Sequence, residues 1–189
     1  MGVDISGMNP IIRSQKPEYP DWKTATEAEK NAYFEASDLW ENENPGDYFR
    51  SNWWGWRPIH MLCGYVNEEY ELNFNMDNWG SNDGGGLNNQ EDCTKLADAL
   101  QDILRTSSEL ELDDDRIYLN LGSWVDSENR FIGSELSEEL NEQFNEGEIL
   151  YGGVVGEGGK IYYPSHSCSK KHLQNFINFL RECGGFEIW

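Results

Sequence analysis

The sequence predicts an α+β fold: one compact domain over residues 1–189, with a small mixed or antiparallel sheet and four or five helices. The chain is 38% hydrophobic and 13% aromatic, which is enough apolar material for one core at this length. Helical and strand periodicities both occur, and they follow one another in an irregular order. A regular strand–helix alternation would indicate a doubly wound sheet, so the irregular order favours α+β.

The N-terminal quarter predicts one short strand and one helix. Residues 3–5 form the strand, which ends before Gly7. Thr26 and Glu29 have the spacing of a capping box, so a helix is expected from there to near Trp40. Residues 11–44, which include this helix, are interpreted as a helical insertion.

The remaining elements follow from hydrophobic period and from cap residues. In chain order, we predict a helix over 58–66, a strand over 70–76, a glycine loop over 79–88, a helix capped by Asn89, a solvated turn at 113–115, a strand over 117–121, an acidic helix over 134–146, a hairpin over 148–163, a loop at 165–168, a helix capped by Ser169 and a strand over 186–189. We expect the first and last strands to be neighbours in one sheet.

The acidic helix has one apolar and one charged side. Its apolar residues recur at helical spacing, so its four glutamates, Glu135, Glu138, Glu139 and Glu142, are expected to face solvent.

The charge of the chain excludes one class of partner. Its 35 acidic and 14 basic residues give a formal net charge of −21. Direct binding to nucleic acid or to an anionic membrane needs many lysines and arginines, so neither is expected. A basic protein partner remains open, and so does the simpler interpretation that the charge keeps the chain in solution.

Cysteine usage and hydropathy predict a cytoplasmic setting. The four cysteines are widely spaced, form no Cys-x-x-Cys pair and are expected to be buried, reduced thiols. No apolar run reaches the length of a membrane span. The first six residues match the loose myristoylation pattern, but Asp4 and the lack of a basic patch argue against an anchor.

No known catalytic, metal or cofactor motif stands out. The histidines, His60, His166 and His172, lack the spacing of metal ligands. The glycines at 84–86 precede a helix as in a phosphate loop, but the loop's lysine is absent. We therefore predict no cofactor, no metal and no catalytic residue, and an enzyme with an unrecognised site is the least favoured class.

The densest chemical signal is the stretch 48–60, where three tryptophans lie between Arg50 and Arg57. Basic groups are scarce here, so a pair beside aromatic rings suits a planar, anionic ligand. The alternative is a core cluster in which both arginines pair with internal carboxylates. The predicted ligand-binding residues are Arg50, Asn52, Trp54, Trp56, Arg57, Asn82 and Asp83.

Four blocks of the chain together resemble an uncharacterised family of bacteriophage and prophage proteins. They are a Met-Gly-x-Asp-x-x-Gly-x-Asn-Pro start at 1–10, a Tyr-Phe-Arg-x-Asn-x-Trp-x-Trp-Arg-Pro block at 48–58, an Asn-Asp-Gly-x-Gly-Leu segment at 82–87 and a Phe-Leu-x-x-x-Gly-Gly-Phe tail at 179–186. The resemblance implies a phage origin and an intracellular setting, and it implies no activity. Cys-x-x-Cys pairs of some relatives are missing from residues 105–165, so no zinc role carries over.

Three function classes follow from these observations. The first is a phage-type accessory protein that binds a small anionic, nucleotide-like ligand and sequesters a host defence signal. The second is an acidic inhibitor that covers a basic surface of a host protein. The third is the enzyme with an unrecognised site. The oligomeric state stays open.

Overall fold

The computed structural model describes residues 2–109 and 115–189, which form an α+β fold of helices and two four-stranded antiparallel sheets. The strands are Gly2–Gly7 (β1), Tyr48–Asn52 (β2), Gly86–Leu87 (β3), Arg116–Asp126 (β4), Ile149–Leu150 (β5), Val154–Val155 (β6), Ile161–Ser169 (β7) and Phe186–Ile188 (β8). The helices are Glu27–Glu43 (α1), Trp53–Glu69 (α2), Gln90–Glu109 (α3), Ser134–Gln143 (α4) and Lys170–Leu180 (α5), with a short 3-10 turn at Glu157–Gly159. A turn is predicted at 113–115, and its first two residues lie outside the described residues.

The first sheet joins the two ends of the described chain. Its strand order is β2-β1-β8-β3, and Ile5 in β1 lies opposite Ile188 in β8. Asp4 and Trp189 exchange two further backbone hydrogen bonds of 2.8 and 3.2 Å. The expectation that the first and last strands are neighbours is therefore confirmed.

The second sheet is built around the long pair β4 and β7, in the order β5-β4-β7-β6. The pairing of β4 with β7 is interrupted between Leu119 and Trp124, where Gly122 has a left-handed φ of 72°. The predicted hairpin exists as β6 and β7, closed by Gly156 and Lys160. The strand β5 pairs with β4 instead.

The helix α2 is longer than its sequence predicts, because it begins at Trp53 and not at Pro58. Asn52 is its N-cap, and the Asn52 side chain accepts a hydrogen bond of 2.8 Å from the Gly55 N–H. Pro58 lies inside the helix and has no N–H to donate to the Trp54 carbonyl. The whole Trp/Arg block after Asn52 is therefore helical.

The predicted strand over 70–76 is wrong. Glu71 and Asn73 have positive φ values of 50° and 59°, which no strand allows. The Asn67 side chain contacts the Phe74 backbone at both N and O, at 2.9 and 3.1 Å, and so replaces the partner strand. The apolar residues of this segment still pack against the core, which explains the alternation.

The other predicted helix starts are confirmed. Thr26 and Glu29 form the capping box of α1, which extends to Glu43. Asn89 accepts from the Asp92 N–H at 2.9 Å, and Ser169 accepts from the His172 N–H at 3.1 Å. Whether residues 11–44 are an insertion stays a prediction.

Two hydrophobic clusters carry the fold. The larger one fills the space between the first sheet, α2, α3 and α5, and the smaller one lies beneath α4 around Trp124, Leu140 and Tyr162. The four glutamates of α4 are exposed, as predicted. All four cysteines are buried and free, as predicted. No helix in the described parts of the chain combines the length and the apolar character that crossing a membrane requires.

Candidate functional site

A cleft of about 840 Å³ opens where the edge strand β2 of the first sheet faces β4 and β7 of the second. We call it the sheet-junction cleft. The helices α2 and α5 both begin at its wall. Side chains that line it include Arg50, Asn52, Trp54, Arg116, Ser167 and His172.

The charge of this cleft is opposite to that of the whole chain. Two guanidinium groups line it, from Arg50 and Arg116, and none of the described lining residues is acidic. Arg116 is fixed by its Nε and Nη2, which donate to the Ser167 hydroxyl at 3.0 and 2.8 Å. Arg50 is exposed and lies 3.6 Å from the Asp4 carboxylate, which also accepts from the Tyr48 hydroxyl.

The beginnings of α2 and α5 add partial positive charge, because each helix dipole has its positive end at the N-terminus. Neither first turn contains an acidic residue, whereas the first turns of α1, α3 and α4 all do. The helix α5 even begins with Lys170 and Lys171. Cations at this end weaken a helix, so an anion bound in the cleft would relieve an unfavourable arrangement.

Trp54 forms one wall of the cleft and leaves 55% of its surface exposed. One side of its ring is covered by the His166 imidazole, with ring centroids 4.3 Å apart and planes 35° apart. The Arg57 guanidinium lies 3.5 Å from His166 Nε2, so this nitrogen is the acceptor and Nδ1 carries the proton. Burial and the Arg57 charge lower the pKa of His166, which keeps the ring neutral.

This tautomer also orients the Ser165 hydroxyl. His166 Nδ1 lies 3.1 Å from the Ser165 oxygen and donates to it. The Ser165 proton is then available to a ligand, because Ser165 lines the cleft. Ser165 thereby adds a hydrogen-bond donor to the two guanidinium groups.

The structure brings three of the predicted ligand-binding residues together. Arg50, Asn52 and Trp54 all line the sheet-junction cleft. Arg57 contacts His166 at Nε2 and lines a separate cavity of about 240 Å³. Arg57 therefore acts on the cleft only through His166.

Trp56 does not belong with that group. Its side chain is 0% exposed, it donates to the Trp79 carbonyl at 2.8 Å, and it packs edge-to-face on Phe176. The helical period separates it from Trp54, since residues two apart point to different sides of a helix. Trp56 is therefore a core residue, which agrees with the alternative interpretation of residues 48–60 as a core cluster for this one side chain.

The glycine loop reaches only the margin of the cleft. Asn82 donates from Nδ2 to the carbonyl of Gly2 at 3.2 Å, and Gly2 lines the cleft. Asp83 is exposed and is not among the lining residues. Its carboxylate would in any case repel an anion.

The other half of the cleft is not among the predicted site residues, because the sequence predicts a loop at 165–168. They belong to β7, which pairs with β4 in a register that puts Arg116 opposite Ser169. The serines at 165, 167 and 169 alternate with the buried residues His166 and Cys168. That alternation of small polar residues was the signal for a strand with one polar face.

Few groups in the cleft suit catalysis. Burial raises the pKa of Cys168 to about 12, so its sulfur is a thiol and not a nucleophilic thiolate at neutral pH. Within the described residues, no three His, Cys, Asp or Glu side chains lie together as a metal site. The groups in the cleft that can bind a ligand are guanidinium groups, hydroxyls, two helix N-termini and one aromatic ring.

No protein-family model, no curated protein and no solved structure matches this chain. The resemblance of the four blocks to a phage family stays a prediction.

Proposed function

We propose that this protein binds a small anionic, nucleotide-like ligand in the sheet-junction cleft. The observation that carries the proposal is the charge of this cleft: among the described residues, Arg50 and Arg116 line it and no acidic residue does, in a chain of net charge −21. A phosphate near Arg50 and Arg116 would receive charge-assisted hydrogen bonds, which are the stronger kind. The dipoles of α2 and α5 would add to that attraction.

The aromatic part of the ligand would stack on Trp54. His166 packs against this ring. Stacking on an aromatic side chain contributes about 1–3 kcal/mol per base. The combination of a stacking surface with phosphate-binding groups favours a nucleotide over inorganic phosphate.

The biological role that we propose combines this binding with the phage origin implied by the resemblance. A phage-type accessory protein in the host cytoplasm that holds a nucleotide would remove it from its receptor, and so could suppress a host defence signal. The donors in the cleft suit holding a ligand, and such a role needs no turnover. The buried Cys168 thiol, which is not a thiolate at neutral pH, fits that expectation.

Calorimetry with a panel of cyclic and linear nucleotides tests the proposal. Arg116→Gln should weaken binding of the best ligand about tenfold to a hundredfold, since one charge-assisted contact contributes about 1.5–3 kcal/mol. Arg130→Gln is the matched control, because Arg130 is an exposed arginine that pairs with Asp126 and Glu128 and does not line the cleft. Binding by no nucleotide, or equal losses in both variants, would reject the proposal.

Arg57→Ala should have a smaller effect on the same binding. Arg57 contacts His166 and not the cleft, so its loss frees the imidazole and loosens the support of Trp54. A loss as large as that of Arg116→Gln would place the ligand next to Arg57 instead.

The exposed acidic face of α4 favours a second candidate function, an inhibitor that covers a basic host protein. Glu135, Glu138, Glu139 and Glu142 lie on one side of the helix, while Leu140 is fully buried on the other. Changing these four to Lys should then weaken capture of the partner and its dependence on salt. Native mass spectrometry of protein purified from its host separates the two functions, by showing either a retained small molecule or a bound protein.

A further inference from the structure

A second pocket, of about 550 Å³, lies between the outer face of α2 and the segment around β5. From α2 it is lined by Met61, Gly64, Tyr65 and Glu68, and from the other side by Met76, Glu148 and Tyr151, among others. It shares no lining residue with the sheet-junction cleft. Its occupant is therefore a separate question from the proposed nucleotide.

The lining of this pocket has the chemistry of a cation site. The rings of Tyr65 and Tyr151 can face a positive charge, and the thioethers of Met61 and Met76 are soft, adaptable surfaces. Glu68 and Glu148 supply two carboxylates, and no lysine or arginine is among the described lining residues.

Two further observations define the charge of the pocket. Glu148 is held in place, because its Oε2 accepts from the Asn145 N–H at 3.1 Å. His60, the one basic side chain of the described lining, is neutral at neutral pH because burial lowers its pKa. Both carboxylates are thus uncompensated by any described side chain of the pocket.

Gly64 is the residue that keeps the pocket open. It lies in the middle of α2, where glycine costs about 0.5–1 kcal/mol relative to alanine. Neither backbone nor packing requires it: its φ is not positive, and a Cβ added there would meet no atom within 4 Å. The missing side chain leaves free volume directly in the pocket.

We propose that this pocket binds an organic cation, an ammonium group attached to an apolar body. The ammonium lies near Glu68 and Glu148, and the apolar body lies over Gly64 between the two tyrosine rings. Both elements are needed, since the carboxylates select the charge and the rings and thioethers select the apolar part. Gly64 provides the room.

Methionine methyl NMR with benzyltrimethylammonium chloride tests this site directly. Of the four methionines in the chain, Met61 and Met76 line the pocket, and Met8 does not. We expect saturable shifts of the Met61 and Met76 methyl signals, with the Met8 signal unmoved. Benzyl alcohol should bind about tenfold more weakly, and benzoate should not bind, because both lack the positive charge.

Two variants and one control complete the test. Gly64→Leu should abolish the shifts by filling the pocket, and Glu68→Gln should weaken binding about fivefold or more. Glu69→Gln removes an equal charge one residue further along α2, outside the lining, and should leave binding unchanged. Equal binding of cation, alcohol and anion, or unchanged shifts in a folded Gly64→Leu variant, would overturn the proposal. If Gly64→Leu does not fold, an unchanged affinity in Glu68→Gln would overturn it alone.

Discussion

The imidazole Nε2 of His172 lies 2.9 Å from the hydroxyl oxygen of Ser51 and joins the start of α5 to the end of β2. The Ser51 hydroxyl donates its own proton to the Asn52 carbonyl at 3.0 Å, so it accepts from His172. The Nε2 nitrogen of His172 therefore carries a proton. Its ring also packs on Phe49, with centroids 4.9 Å apart, and burial lowers its pKa.

This contact predicts a loss of stability in mild acid. The folded pKa of His172 is below the ordinary value of 6.5, so the unfolded chain binds the proton more readily. The contribution to stability is present above pH 6.5 and is lost as the pH falls towards the folded pKa. Thermal unfolding between about pH 7.5 and pH 5.5 should show a falling melting temperature, since histidine titrates in this window.

The variant His172→Gln isolates that contribution. A glutamine retains a donor for Ser51 but does not titrate, so the melting temperature of the variant should depend less on pH. Relief of repulsion among the many carboxylates affects both proteins alike and cancels in the comparison. Identical pH dependence of the two proteins would show that His172 is not the group responsible.

Much of the fold could be predicted because local signals and tertiary structure agree. Thr26, Asn89 and Ser169 each satisfy free N–H groups at a helix start, and that requirement is local. The adjacency of β1 and β8 was predictable for another reason, because short apolar ends need a partner to bury them. Asn52 carries the same kind of cap signal, but the tryptophans after it masked the helix start.

The misses have tertiary causes. The segment 70–76 packs against the core as a loop and not as a strand. The Asn67 side chain bonds the Phe74 backbone in place of a partner strand. The hydrophobic period of the segment does not predict that contact. Arg116 lies in the cleft because the register of β4 against β7 puts it opposite Ser169, and the sequence alone does not predict that register. Half of the candidate site thus depended on a strand pairing between distant segments.

The C-terminal strand offers a test of the pairing of β1 with β8. Ile188 is fully buried, whereas Trp189 is 54% exposed although its backbone pairs with Asp4. Ile188→Ala should destabilise the fold by about 2–5 kcal/mol. Trp189→Ala should change it by less than about 0.5 kcal/mol, as surface substitutions do.

Denaturant unfolding of both variants gives the two values. Deleting residues 186–189 should lower the melting temperature further than Ile188→Ala does, because it removes the strand between β1 and β3. A truncated protein that melts like the full chain would contradict this arrangement.

Two glycines should respond to alanine in opposite directions. Gly64→Ala should stabilise the protein by about 0.5–1 kcal/mol, because alanine favours the helix and a Cβ there meets nothing. Gly86→Ala should destabilise it by more than about 1 kcal/mol. Gly86 has a φ of 153°, and its Cβ would collide with the Phe186 carbonyl in the neighbouring strand. Melting curves of the two variants measure both effects. A lower melting temperature of Gly64→Ala would mean that a Cβ at this position collides with a neighbouring residue.

Asn52 separates the stability of α2 from ligand binding, because its side chain caps the helix at the wall of the sheet-junction cleft. Asn52→Asp keeps an acceptor for the Gly55 N–H, so the melting temperature should hold or rise. The new carboxylate would repel an anion in the cleft, and nucleotide affinity should fall about tenfold or more. Asn52→Ala should do the reverse: it costs about 1 kcal/mol of stability by removing the cap, with a smaller effect on affinity. Melting curves and calorimetry on the same samples measure both effects, and an Asn52→Asp variant that binds nucleotide like the wild type would place the anion outside this cleft.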